Sequence, residues 1–76
     1  MELAQALAIV VRRTRRAKGW TLEGLAERAG LHRNHVVKVE GATTKASLDV
    51  FMRLAQAFGE RGSSLLARVE RRMRAR

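Results

Sequence analysis

The chain contains no cysteine, no proline and no tyrosine, and only one tryptophan and two phenylalanines. Without cysteine there are no disulfides to staple a small fold and no thiolate ligands for a structural zinc site. The scarcity of aromatic residues removes much of the composition that favours strands. Acidic residues are also few: seven Asp and Glu stand against sixteen Lys and Arg, for a formal net charge of +9. No apolar stretch approaches the roughly 18 residues that read as a membrane span, and no membrane role is expected. In the opening "MELAQALAIVV" the basic residues follow the apolar run, the reverse of a secretory signal. A cytoplasmic location is expected.

The residues that are abundant, Ala, Leu, Arg and Glu, are strong helix formers, and the fold class they predict is all-α. At 76 residues the whole chain, 1–76, reads as a single domain. A chain of about 60 residues buries only about 60% of its unfolded surface, so the core here is small. A sequence pI near 11.8 exceeds the value of about 9 that marks a polyanion binder when the cations cluster. Solubility alone is met by a net charge of about 2–8 with mixed signs.

Helical spacing runs through the chain. Leu3, Leu7, Val10 and Val11, extended by Thr14 and Ala17, share one face of a first helix that ends in the cations of "RRTRRAKG". Thr21 is placed to cap a second, two-turn helix with Leu22, Leu25, Ala26 and Ala29 inward and Gly30 as its stop. A third begins near His32 or Arg33 and runs to Glu40, with Val36 and Val39 inward. After the loop "GATTKA", Ser47 caps a fourth helix whose stripe is Leu48, Phe51, Leu54, Ala55 and Phe58. Ser63 or Ser64 opens the fifth, "LLARVERRMRAR".

Two short helices joined by a glycine turn, the second tipped with polar side chains, make a helix-turn-helix. Such a unit lays its second helix in the DNA major groove, with N-terminal residues at the base edges. Arg33 offers a bidentate fork to guanine, and Asn34 offers the same to adenine. Lys38, one turn on, reaches a guanine or a phosphate. His32 suits a helix cap or a phosphate, His35 a phosphate or a base, and Val37 a thymine methyl or a purely structural place. Thr43, Thr44 and Lys45 in the following loop, with Arg12 and Arg16 of the first helix, are candidate phosphate contacts, which set register without reading sequence.

The span "VRRTRRAKGWTLEGLAERAGLHRNHVVKVEGATTKASLDVFMRLAQAFG", residues 11 to about 59, resembles the Cro and lambda-repressor-like (Xre) helix-turn-helix domain. The resemblance rests on Arg15, "LAERAG", Val36, Val39, Glu40 and "SLDVFMRLAQAFG", and it implies a compact five-helix bundle. It further implies that the positions of His32, Arg33, Asn34 and Lys38 contact DNA, and that Arg15 and Glu40 form an ion pair between the first and third helices. Departures are Leu22 where many relatives carry Gln, Gly41–Ala42 in place of a polar residue then Gly, and Ala46 where Pro is frequent. Among members of the family, the controller proteins of restriction–modification systems match best in length and in using a fifth helix for pairing.

A double-stranded operator is therefore the expected partner, read at Arg33, Asn34, His35 and Lys38 by an autoregulatory transcription factor. A few base contacts at about 1–3 kcal/mol each discriminate weakly against the ~10⁶ or more competing sites of a genome, so a homodimer on a pseudo-palindrome is expected. Residues 63–76 supply the seam, with Leu66, Val69 and Met73 expected to lie exposed beyond what the monomer buries. The competing readings are a protein-interaction module, such as an antitoxin or bridging factor, and a membrane-surface helix. Nothing in the sequence supplies a nucleophile–base pair, an acid pair or a phosphate-cradling glycine loop, so no enzyme activity and no cofactor are expected. His32 and His35 at i, i+3 lack the further ligands of a tetrahedral metal site, and neither a metal nor a small-molecule ligand is expected.

Overall fold

A computed structural model describes residues 1–75 and contains five helices: α1 (Leu3–Ala17), α2 (Leu22–Ala29), α3 (Arg33–Glu40), α4 (Leu48–Ala57) and α5 (Gly62–Arg74). No strand occurs among the described residues. The helix starts follow from side-chain chemistry. Thr21 Oγ1 accepts the Gly24 N–H at 2.9 Å, and Ser47 Oγ accepts the Val50 N–H at 3.1 Å. His32 plays the same part for α3, its Nδ1 accepting the Asn34 N–H at 3.1 Å. Each bond satisfies a donor that a helix start leaves open. Gly30 closes α2 in the left-handed region, φ 66°, and a Cβ there would press on the Arg53 guanidinium at 3.1 Å. Only glycine enters that conformation without penalty, so the tight α2–α3 turn depends on it.

α1 packs against both α3 and α5, α2 against α3 and α4, and α4 against α5. Leu25, Leu54, Leu65, Val11, Val36, Val39 and Val69 are fully buried at the centre. Trp20, in the turn before α2, stacks on Phe58 with ring centroids 6.2 Å apart, and the Arg28 guanidinium lies 4.2 Å from its centroid. One half-exposed aromatic thus links the start of α2 to the end of α4.

Several inward assignments are corrected by this packing. Leu48 is 76% exposed and Leu3 55% exposed, because both stand at the first position of their helices, where no neighbour reaches them. Val50 takes the core place expected of Leu48, and Ala17, at the end of α1, is exposed. α5 starts at Gly62 with Arg61 as a cap that makes no side-chain bond, so Ser63 and Ser64 lie inside its first turn. The crossing with α4 is close enough at that point that a Cβ on Gly62 would overlap the Met52 sulfur.

The expected pairing seam is also revised. Val69 shares the i, i+4 stripe with Leu65 and is fully buried in the monomer's own core, and Met73 packs against that core. Leu66, one position out of phase, remains 44% exposed. Arg76, the last residue of the 63–76 segment, lies outside the described residues. The two neighbouring leucines of α5 therefore separate by role. Leu65→Ala should lower unfolding free energy by about 2–5 kcal/mol through lost contacts and a residual cavity. Leu66→Ala should cost the folded monomer no more than about 0.5 kcal/mol, and urea titration of both variants at concentrations too low for association checks this.

Candidate nucleic-acid interface

α3 is eight residues long, too short to hold its shape alone. Val36 and Val39 bury one side of it, and its C-terminal end is gripped by α1. The Arg15 guanidinium donates from Nε to Glu40 Oε2 at 2.7 Å and from Nη2 to Oε1 at 2.9 Å, a bidentate ion pair. Its Nη1 donates to the Trp20 carbonyl at 2.9 Å. The side chains are only 12% and 7% exposed. Hydrogen bonding to Glu40 raises the Arg15 pKa above its ordinary value against the opposing effect of burial. Arg12 adds a bond from Nη2 to the Glu40 backbone carbonyl at 2.8 Å. One residue at the end of α3 is thus held through both its carboxylate and its backbone.

The opposite side of α3 faces solvent. Arg33, Asn34, Val37 and Lys38 are exposed, and His35 is half-buried beside them. The Asn34 amide and the Lys38 ammonium make no hydrogen bond among the described residues. His32 accepts through Nδ1, which leaves the proton on Nε2 and that N–H turned away from the cap. Arg33 Nε donates to Glu23 Oε1 on α2, and both side chains are largely exposed. This hydrogen bond holds the Glu23 carboxyl below its usual pKa. The polar edge is consequently not uniform: one arginine is tethered and its neighbours are free.

The loop after α3 folds back on the helix. Gly41 has φ −89°, and Ala42, not the glycine, occupies the left-handed region at φ 57°. Thr43 donates to the Lys38 carbonyl through its backbone N–H at 3.0 Å and its hydroxyl at 3.3 Å. Its hydroxyl proton is therefore committed within the chain, leaving an oxygen lone pair outward. Thr44 is half-buried and Lys45 exposed. Arg16 is exposed on α1, whereas Arg12 is half-buried and spends a donor on Glu40. The structure brings His32, Arg33 and Asn34 to the N-terminal end of α3 and Lys38 to its last turn, to which Thr43 of the following loop is bonded.

A separate apolar groove of about 680 Å³ opens among the N-terminal ends of α1 and α4 and the side of α5. Leu3, Leu7, Leu48, Phe51 and Leu66 line it, with Glu2 and Lys45 at its rim. No described helix is long and apolar enough to cross a membrane.

Residues 6–69 match the family model described as a helix-turn-helix domain, and the chain belongs to that family. The structure is similar to two crystal structures of the clp gene regulator ClgR from Corynebacterium glutamicum, each with a TM-score of 0.86. One, at 25% identity, covers 96% of this chain and 78% of ClgR; the other, at 24% identity, covers 100% and 99%. It is also similar to the hypothetical transcription factor NHTF from Neisseria, at 35% identity and a TM-score of 0.79, over 86% of this chain and 75% of that one. No curated protein matches.

Four residues escaped sequence reasoning. Glu23 lies ten positions from Arg33 on another helix, and no periodicity joins them. Arg12 reads as one of a run of cations, with nothing local to mark it as a backbone clamp. Leu3 and Leu48 carry correct helical spacing but sit at helix starts. The best-defined of the contacts is testable by stability. Glu40→Ala leaves a nearly buried guanidinium unmatched and should cost about 3–5 kcal/mol, whereas the apolar pair Arg15→Met/Glu40→Leu should recover much of it. Thermal melting of both variants checks the order, and an unchanged midpoint for Glu40→Ala would contradict it.

Proposed function

We propose that this protein is a sequence-specific DNA-binding transcriptional regulator of the Cro-like, Xre type that reads a pseudo-palindromic operator as a homodimer. The observation that carries the reading is the two-sided character of α3. Val36 and Val39 are buried and its end is fixed by Glu40, while Arg33, Asn34 and Lys38 stand exposed together. Arg33, Asn34 and Lys38 contact bases, with His35 at the margin. His32 through Nε2–H, Thr44, Lys45 and Arg16 contact phosphates, and Thr43 and Arg12 serve mainly by fixing the loop and the helix end. The net charge of +9 supplies the sequence-independent attraction. Control of the protein's own operon, as in restriction–modification controllers, is the regulatory mode we favour.

Base and phosphate roles separate in one experiment. A binding site is first selected from random duplex DNA. Arg33→Ala should then cost about 1–3 kcal/mol per half-site and relax the preference at one base pair, while Lys45→Ala weakens all duplexes alike. Equal loss by Arg33→Ala on selected and random duplexes would remove Arg33 from base reading.

The dimer we propose would use the exposed apolar groove that Leu3, Leu48 and Leu66 help to line; Val69 belongs to the core. Two-fold symmetry requires a self-complementary patch, which an exposed groove lined by several leucines can supply. The half-sites should lie about 10 bp apart or a multiple of it. The same groove favours the alternative of a protein-interaction module, such as an antitoxin or bridging factor. Leu66→Arg should give a folded monomer with much weaker operator binding. Sedimentation at micromolar concentration distinguishes the readings: an 8.5 kDa monomer that still binds its site tightly would leave the groove to another protein.

A further inference from the structure

Four ion pairs occur among the described residues, and three of them join structural neighbours: Arg15–Glu40, Arg53–Asp49 and Arg68–Glu60. The fourth, Arg33–Glu23, reaches across the helix turn to a side chain on the solvent face of α3. Glu23 lies in the first turn of α2, the element that crosses the DNA backbone in this motif. A carboxylate there repels phosphate, so an otherwise cationic protein carries a charge that weakens its binding to every DNA sequence. Thr21, not Glu23, accepts the Gly24 N–H; an acid in the first turn also suits the dipole of α2, but that role does not call for a contact with Arg33.

The geometry of the pair supplies a reason. A guanidinium has one N–H on Nε and four on its terminal nitrogens. It can approach a guanine through its end, Nη1 with Nη2, or through its side, Nε with one Nη. Glu23 accepts from Nε, which closes the side approach and leaves both terminal nitrogens without a partner among the described residues. We propose that Glu23 is a specificity-determining positioning residue, holding Arg33 so that it presents only its end-on fork to the major groove. The inference rests on the reading of Arg33 as a base contact. In water the exposed pair contributes little. Docking of α3 excludes water and lowers the local dielectric, so the tether strengthens in the complex where orientation matters.

Charge and acceptor can be separated at Glu23, an exposed site. Glu23→Gln removes the charge but keeps an amide oxygen that can accept from Arg33 Nε, whereas Glu23→Met removes both at similar length. The intact chain and the variants E23Q, E23M, R33A and E23M/R33A are titrated against three sets of duplexes: the selected site, its single-base-pair substitutions, and a random sequence. E23Q and E23M should both bind the random duplex several-fold more tightly, because a repulsive charge is gone. Discrimination at the base pair governed by Arg33 should fall about tenfold in E23M, within the range of one bidentate contact, and less in E23Q. In the R33A background E23M should still tighten random binding and leave discrimination unchanged. Undiminished discrimination in E23M, with R33A defective, would overturn the positioning role alone. A further loss of discrimination on adding E23M to R33A would overturn it in favour of direct base reading by Glu23. Full discrimination in R33A would instead remove Arg33 as a reader, and this inference with it.

Discussion

The bidentate bond between Arg15 and Glu40 is the constraint on which the arrangement of the outward helix rests. α3 is two turns long and buries only two valines deeply, so hydrophobic contact fixes which side faces inward but not its tilt or its reach. Arg12 and Arg15 stand at i, i+3 and therefore on one face of α1. From there they hold the carboxylate and the backbone carbonyl of a single residue at the far end of α3. A lysine would supply charge without the planar fork that sets direction. Arg15 also donates to Trp20, so the turn into α2 and the end of α3 are referred to the same guanidinium. The two helices of the motif share one origin on α1.

This arrangement divides the cations by task. The formal charge of +9 describes the field that attracts a polyanion, but several of the arginines that produce it are engaged inside the molecule. Arg15, Arg53 and Arg68 neutralise acids, Arg12 holds a carbonyl, and Arg28 covers the Trp20 ring. The free charges near the proposed interface are few, chiefly Lys38, Lys45 and Arg16. Binding should therefore show a salt dependence set by those contacts and not by the total charge, because each released counterion corresponds to a phosphate actually met.

The helices were legible because their apolar residues recur at helical spacing and because Thr21, Gly30 and Ser47 punctuate them with unambiguous chemistry. The division of α3 into valine and polar sides was equally plain. Periodicity fails where it meets the ends of elements and the phase between adjacent residues. Leu48 and Leu3 satisfy the pattern but stand where no helix covers them. In α5 the core place of Leu65 was legible, but the burial of Val69 and Met73 was not, because how far along α5 the stripe is covered depends on how α5 lies against α1, information absent from the helix itself. The Glu23–Arg33 tether was invisible for a related reason: it joins two exposed side chains, and no burial pattern marks either one.

The loop after α3 shows how far the anchor extends. A left-handed alanine costs about 1–2 kcal/mol relative to the right-handed conformation, and such residues persist only where their surroundings over-determine them. Ala42 is held by bonds on both sides. Its own N–H donates to the Val39 carbonyl, Gly41 donates to Val37, and Thr43 donates twice to Lys38. These bonds cap the last turn of α3 and force the chain back before it leaves for α4. Thr44 and Lys45, proposed to touch phosphates, are consequently fixed to the end of the helix that carries Arg33, Asn34 and Lys38. That end is Glu40, and Glu40 is held by α1. The proposed base and phosphate contacts thus take their relative spacing from one short, strained segment bonded to the last turn of α3.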